Sequence, residues 1–79
     1  MTAEEAAQAI RDGRTVKMTV GESDEDPVLL LTLERGCVMA NAIAGWSAGV
    51  VEPVCSIESD FLTREYLQNR HALEVVEGP

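Results

Sequence analysis

The sequence predicts an α+β domain in which an antiparallel sheet of three to five strands is covered on one face by two short helices. An alanine-rich helical pattern opens the chain, period-2 alternation follows it, and a second helical pattern lies near residue 60. With 79 residues, the chain is expected to form a single domain, residues 1–79. A core this small gives only marginal stability, which association with a second copy would raise, so we expect a homodimer.

The first predicted element is a short N-terminal helix. Thr2 and Glu5 match a capping box, in which each side chain bonds the backbone N–H of the other residue. Apolar residues then recur at helical spacing, namely Ala3, Ala6, Ala7 and Ile10. Gly13 is typical of a helix C-terminus, so we expect the helix to end there and the chain to enter a sheet.

Two strands are predicted from alternating residues. Between Thr15 and Val20 every second residue is apolar, which is typical of a half-buried strand. A second strand is predicted from Val28 to Glu34, with apolar residues on both faces, so the face away from the helices is expected to be partly covered. The residues expected to point inward are Val16, Met18, Val20, Leu29, Leu31 and Leu33.

The middle of the chain predicts a hairpin and an edge strand. Arg35-Gly36 can close a tight turn into a third strand over residues 37–43, and a helix is the alternative for the same residues. Residues 50–57 predict a further strand, which Pro53 restricts to a sheet edge or a bulge. Another copy of the chain could pair with an edge of this kind, or it could cover the sheet face away from the helices.

The C-terminal part predicts a helix and a last strand. A serine cap followed by acidic residues and, at the far end, by basic residues favours a helix over residues 60–69. Phe61 and Tyr66 are expected to pack this helix onto the sheet, and residues 73–76 predict a final short strand.

Charge is the strongest functional feature of the sequence. Fourteen acidic residues against six basic ones give a formal net charge of −8. Such a field repels nucleic acid and anionic membranes, and it attracts basic protein surfaces, including grooves that normally hold a phosphate backbone. Four acids crowd into the predicted loop between the first two strands: Glu22, Asp24, Glu25 and Asp26.

This acid cluster has three other interpretations. It could be a solvated loop, which is the outcome for most charge runs. Its acidity could reflect adaptation to a high-salt cytoplasm, since the chain has a single lysine. It could bind Ca²⁺, but the segment lacks the 12-residue loop with its central glycine and closing glutamate, so no metal site is predicted.

Trp46 is the only tryptophan, and its glycine-rich flanks suggest either an exposed turn or a loop that tucks the indole into the core. In an exposed turn the side chain would be an interface anchor. The segment Gly45 to Gly49 also matches the G-x-S-x-G pattern of a nucleophile elbow around Ser47. We reject that reading because an α/β-hydrolase needs a far longer chain.

Catalytic and metal-binding patterns are weak. Cys37, Cys55 and His71 are scattered without the local spacing of a zinc site, and no phosphate-binding glycine loop is present. We therefore predict no enzymatic activity and no cofactor, and we expect the two cysteines to be small buried hydrophobes rather than a disulfide. The chain shows neither a signal peptide nor an apolar stretch of about 20 residues, so we expect a cytoplasmic protein.

Short length, strong negative charge and an alanine-rich helix that leads through Gly13 into a strand together resemble a known group of proteins. The chain is similar to the small anti-defence proteins of phages and prophages, in particular the acidic anti-CRISPR proteins that act on type I surveillance complexes. The resemblance implies a protein that occupies the positively charged DNA-binding channel of a Cascade-type complex. These proteins share a role rather than a motif, so no site residue is transferred from them.

A second resemblance concerns the stretch EAAQAIRDGRTV, which starts at Glu5. It is similar to small phage proteins of a domain-of-unknown-function type that bind signalling nucleotides. This chain lacks the basic and tryptophan residues that follow the first strand in those proteins. The alternative function is a small regulatory domain, or a dimeric domain that binds a nucleotide or another small ligand, of phage or bacterial origin.

The leading prediction is a non-enzymatic inhibitor whose acidic surface competes with nucleic acid for lysines and arginines of a host defence complex. Charge would speed the encounter, and a buried anchor such as Trp46 or Leu30 would set the dissociation rate. Direct binding to nucleic acid or membranes is not expected. The residues predicted to contact the partner are Glu22, Asp24, Glu25, Asp26, Glu34 and Trp46.

Overall fold

Five antiparallel strands form one sheet in a computed structural model, which describes residues 1–77. The elements are α1 (Ala3–Arg11), β1 (Thr15–Thr19), β2 (Val28–Glu34), β3 (Cys37–Ala44), β4 (Val51–Ser56), a π-helical turn (Leu62–Tyr66) and β5 (Ala72–Glu77). The strand order is β4-β3-β2-β1-β5, so β1 to β4 form consecutive hairpins and β5 returns to the free edge of β1. The predicted α+β class is confirmed.

Helix α1 begins at the predicted capping box. The Glu5 backbone N–H donates to Thr2 Oγ1 at 3.1 Å, and the Thr2 backbone N–H donates to Glu5 Oε1 at 2.9 Å. These hydrogen bonds, led by the one from the Thr2 backbone, hold the pKa of the Glu5 carboxyl below its usual value. The helix gives way to β1 at Gly13, whose φ of +87° is accessible to glycine without strain.

The core lies between α1, the π-helical turn and one face of the sheet. The alanines of α1 are buried, and their small side chains let the helix approach the strands closely. Of the predicted inward residues, Val16, Met18 and Leu31 are fully buried, and the others pack against them. The largest fully buried side chains are Ile10, Met18, Leu31, Leu62, Leu67, Val16 and Val38.

The hairpin between β2 and β3 has the predicted two-residue turn. Arg35 and Gly36 have φ values of +52° and +79°, a pair of positive angles that matches the right-handed twist of the two strands. Cys37–Ala44 is a strand, so the helical alternative for this segment is wrong. Pro53 lies in the edge strand β4, opposite Met39, where the register shifts. Both predictions for this proline are therefore confirmed.

The second predicted helix is shorter and wider than expected. Two α-helical residues, 60–61, lead directly into the π-helical turn, where the Leu67 N–H donates to the Leu62 carbonyl at 3.0 Å. A π-turn brings residues five apart onto one face, so Leu62 and Leu67 enter the core together. Tyr66 packs against the core as predicted, but Phe61 is 46% exposed, and its predicted core position is wrong.

The other face of the sheet, termed the open face, carries the residues that alternate with the core positions. Its apolar part lies on β2, β3 and β4 and includes Val28, Leu30, Met39 and Val51. On β1 and β5, Lys17 Nζ lies 3.6 Å from Glu74 Oε1. Both helical elements pack on the opposite side, so the open face is where we predict a second subunit.

Candidate interaction site

Two loops meet at one end of the sheet. The acidic loop, residues 21–27, connects β1 to β2, and the tryptophan loop, residues 45–50, connects β3 to β4. Alternate hairpins of an antiparallel sheet close at the same end, so the strand order places these loops side by side. The Trp46 backbone N–H donates to the Glu25 carbonyl at 2.9 Å, which joins them directly. We call these two loops, together with His71, the acidic end.

Gly45 allows the two loops to pack. Its φ is +89°, a conformation that other residues rarely adopt. A Cβ atom at this position would lie 2.5 Å from the Asp26 carbonyl oxygen and 2.8 Å from Pro27 Cα. Both are backbone atoms and cannot move aside independently, so close contact between the loops requires glycine here.

The acidic loop is held in shape by its own hydrogen bonds. The Ser23 backbone N–H donates to Asp26 Oδ2 at 3.2 Å, and the Asp26 N–H donates to the Ser23 carbonyl at 3.0 Å. The Glu25 N–H donates to Ser23 Oγ at 3.2 Å. Asp26 is half-buried and builds the loop, whereas the carboxylates of Glu22, Asp24 and Glu25 are exposed to solvent.

The acidic end carries little compensating charge. Neither loop contains a lysine or arginine. His71 Nδ1 lies 3.6 Å from Glu22 Oε1, and the His71 backbone N–H donates to the Thr19 carbonyl at 3.0 Å. The His71 side chain is 47% exposed and that of Glu22 is 86% exposed, and a solvent-exposed contact of this kind contributes little free energy. The field of the cluster is therefore open to a partner.

Trp46 is 79% exposed, so the alternative that the indole is tucked into the core is wrong. Its backbone is nevertheless fixed by the hydrogen bond to Glu25. An exposed indole on a fixed backbone loses little conformational entropy when it is buried by a partner. This is the arrangement expected of an interface anchor.

A small pocket of about 230 Å³ opens beside Trp46 on the helix side of the sheet. It is lined by Pro27, Leu29, Ala40, Ala42, Trp46, Ser47, Val50 and Glu52. The sequence-based expectations do not include this pocket. The available signal was the pair of alanines that alternate along β3, because small side chains leave a depression where the helices do not cover the sheet.

Glu34 lies apart from the other predicted site residues. It is the last residue of β2, whereas the acidic loop precedes the first. Six residue steps of extended chain separate these ends by about 20 Å. Glu34 instead adjoins the Arg35-Gly36 turn at the opposite end of the sheet, so the structure brings together five of the six predicted contact residues.

Within residues 1–77, no group of three or more His, Cys, Asp or Glu side chains is placed to hold a metal ion. Cys37 and Cys55 are half-buried free thiols, and burial, followed by the proximity of Cys37, raises the pKa of Cys55. In the same part of the chain, no helix has the length and apolar character needed to span a membrane.

No family model matches the chain, and comparisons with curated proteins and with solved structures give no significant match. Function is therefore inferred from the geometry of the acidic end.

Proposed function

We propose that the protein is a non-enzymatic inhibitor that docks its acidic end on a basic protein surface and keeps nucleic acid from that surface. One observation carries the proposal: three exposed carboxylates on a fixed loop adjoin an exposed tryptophan on a second fixed loop. The chain thus presents negative charge and an aromatic anchor at the same end of the sheet. Aromatic residues are enriched in the buried cores of interfaces, and charges complementary to the partner steer the encounter.

Each element has a separate physical task. The carboxylates of Glu22, Asp24 and Glu25 attract lysines and arginines over a distance comparable to the Debye length, which raises the association rate at low salt. The indole of Trp46 has most of its surface available for burial, and that burial would slow dissociation. A basic groove that accommodates nucleic acid offers lysines and arginines to the carboxylates. The apolar stems of the same side chains offer a surface to the indole.

The resemblance to acidic anti-CRISPR proteins makes a type I surveillance complex the first partner to test. In this proposal the protein acts in the host cytoplasm and occupies the DNA-binding channel of a Cascade-type complex. Duplex DNA carries one negative charge for about every 1.7 Å of its axis, so a dense carboxylate loop can take the place of part of its backbone.

The experiment measures competition with target DNA on purified type I complexes at low and high salt. A triple variant, Glu22→Gln with Asp24→Asn and Glu25→Gln, removes the exposed carboxylates of the acidic loop. Asp26 is kept because it builds the loop. The matched control, Asp12→Asn with Glu34→Gln and Glu58→Gln, removes the same charge from exposed residues at the other end of the sheet.

The proposal predicts that the wild-type protein and the control variant displace DNA, and that high salt weakens both. The acidic-loop variant should lose most of the competition. Equal loss in the two variants would show that only net charge matters and would contradict docking through the acidic end. An absence of competition by the wild-type protein would refute the proposed partner.

A second candidate is a regulatory domain that binds a small ligand or nucleotide and acts as a dimer. The apolar pocket favours it, although about 230 Å³ is below the usual range for small-molecule sites. A ligand that binds only the folded protein raises the melting temperature. A rise with one member of a nucleotide panel would favour this candidate, and an unchanged melting temperature with all of them would count against it.

We also propose that the open face forms a homodimer interface, which would serve either function. Leu30 lies on the open face of β2, between Lys17 and Asn41 in the sheet register, and is half-buried in the single chain. The wild-type protein should sediment as a dimer, and Leu30→Glu should sediment as a folded monomer. A monomeric wild-type protein at high concentration would contradict the proposed interface.

A further inference from the structure

The pocket beside Trp46 has a small-residue floor and apolar walls. Ala40 and Ala42 are almost fully buried and form the floor on β3. Pro27 and Leu29 lie on the side of the acidic loop, and Val50 lies on the tryptophan loop. The pocket volume of about 230 Å³ is suited to one aliphatic or aromatic side chain rather than to a whole cofactor.

Hydrogen bonds hold the pocket open before a partner arrives. The Gly49 N–H donates to the Ala42 carbonyl at 2.8 Å, and the Ala42 N–H donates to the Val50 carbonyl at 2.9 Å. The Val50 N–H also donates to the Ser47 carbonyl at 3.0 Å. A fixed loop of this kind lowers the entropic cost of binding because the walls are already in place.

One wall of the pocket is charged. Glu52 is exposed on β4, next to Ala40 in the sheet register. Within residues 1–77, no lysine or arginine forms an ion pair with it. The phenol of Tyr66 has its pKa raised chiefly by burial, and Glu52 adds to that shift, so the carboxylate acts on the helix side of the sheet. Such a pocket favours a ligand with an apolar group that fills the pocket and an adjacent basic group that pairs with the carboxylate.

Two occupants of the pocket can be compared by charge: a second copy of this chain and a segment of a basic protein. A second copy of this chain would bring a further net charge of −8 toward Glu52 and the acidic loop. A basic protein segment instead meets a complementary field from both.

We infer that the pocket beside Trp46 receives one apolar side chain of a basic protein segment, and that Glu52 pairs with a lysine or arginine adjacent to that side chain. This inference rests on the proposed function and specifies the partner residues at the acidic end. The pocket would fix the position of the segment, while the acidic loop supplies attraction without sequence preference.

Two synthetic peptides of equal charge test the inference, acetyl-KRLRK-amide and acetyl-KRSRK-amide. Each is titrated into ¹⁵N-labelled full-length protein at low ionic strength, and amide shifts and Trp46 fluorescence are followed. Both peptides should shift amides of the acidic loop. The leucine peptide alone should shift Ala40 and Ala42, and it should bind about tenfold more tightly because it buries an additional apolar side chain.

Two variants separate the two parts of the inference. Ala42→Leu fills the pocket and should abolish the advantage of the leucine peptide, with the amide spectrum reporting whether the variant is folded. Glu52→Gln changes an exposed residue and should weaken binding of the leucine peptide more than that of the serine peptide.

The outcomes distinguish the inference from the proposed function. Equal affinity of the two peptides for the wild-type protein would overturn the pocket assignment even if Ala42→Leu failed to fold, and it would leave docking through the acidic loop intact. An unchanged affinity of Glu52→Gln would overturn the role of Glu52. If neither peptide shifted the acidic loop, attraction of basic segments would fail and the inference would fail with it.

Discussion

The two ends of the sheet differ in the arrangement of their charges. At the acidic end, the acidic loop carries four carboxylates, and neither it nor the tryptophan loop contains a lysine or arginine. At the opposite end, residues 11–14, 34–37 and 57–58 come together, and the guanidinium of Arg11 donates to the Ile57 carbonyl at 3.3 Å. Acids and bases balance there: Arg11, Asp12, Arg14, Glu34, Arg35 and Glu58. Half of the net charge therefore belongs to one end.

This difference bears on the meaning of the acidity. Adaptation to solubility or high salt acts through the charge of the whole surface, so it does not explain a concentration of charge on one loop. Recognition of a partner does explain it, because a local electrostatic field attracts the partner to one part of the surface. The exposed tryptophan at the same end supports recognition further.

The largest predicted effect on stability concerns the contact between the loops. Gly45→Ala introduces a Cβ that collides with the Asp26 backbone and strains a positive φ. We expect the free energy of unfolding to fall by about 3 kcal/mol in urea denaturation. Gly49→Ala is the matched control in the same loop, with φ of +95° and open space around the new methyl, and should cost about 1 kcal/mol. Equal costs would refute close packing of the loops.

Trp46→Ala separates binding from folding. The indole is mostly exposed, so the free energy of unfolding should change by less than about 0.5 kcal/mol. Binding to the basic partner should weaken by about 2 kcal/mol, or about 30-fold in Kd, measured by titration calorimetry. The control is Phe61→Ala, which removes an exposed aromatic side chain from the other end of β4 and should leave Kd unchanged. Comparable losses in both variants would remove the special role of Trp46.

The contact between His71 and Glu22 is expected to have a smaller effect. His71→Ala removes the partner of Glu22, and both side chains are exposed to solvent. The free energy of unfolding should therefore change by no more than about 0.5 kcal/mol. Binding of a basic partner should be equal or slightly tighter, because the carboxylate is released. A marked loss of stability would show that His71 holds the loop in place.

The smallest effect concerns the acid sensitivity of α1. The folded-state pKa of Glu5 is lowered by its hydrogen bonds to Thr2, so the ionised form stabilises the fold above its unfolded-state pKa. That contribution is lost as pH falls through the lowered value. Glu5→Gln should therefore flatten the acid side of the stability profile, measured by thermal unfolding at a series of pH values. An unchanged profile would contradict the capping contribution.

Local sequence chemistry was sufficient to predict most of the fold. The capping box at Thr2, the turn at Arg35-Gly36 and the alternation in β1 and β2 each depend on neighbouring residues. The π-helical turn was not predictable in this way, because Leu62 and Leu67 are brought onto one face by tertiary packing. Phe61 was misplaced for the same reason.

The site was predictable in its parts but not in its assembly. The acidic loop and Trp46 were recognisable from composition, but their contact depends on strand order and on the approach of Gly45 to Asp26. The charge of Glu34 is visible in the sequence and places it among the predicted contact residues. Its position at the far end of β2 is visible only in the structure. The pocket requires the register of three strands, which no local pattern specifies.

Docking through the acidic end can be tested by hydrogen exchange on the complex with a type I surveillance assembly. We expect binding to protect backbone amides in residues 21–27 and 45–50 and to leave those at the opposite end, residues 35–37 and 57–58, unchanged. Protection confined to the opposite end or to the open face would contradict docking through the acidic end.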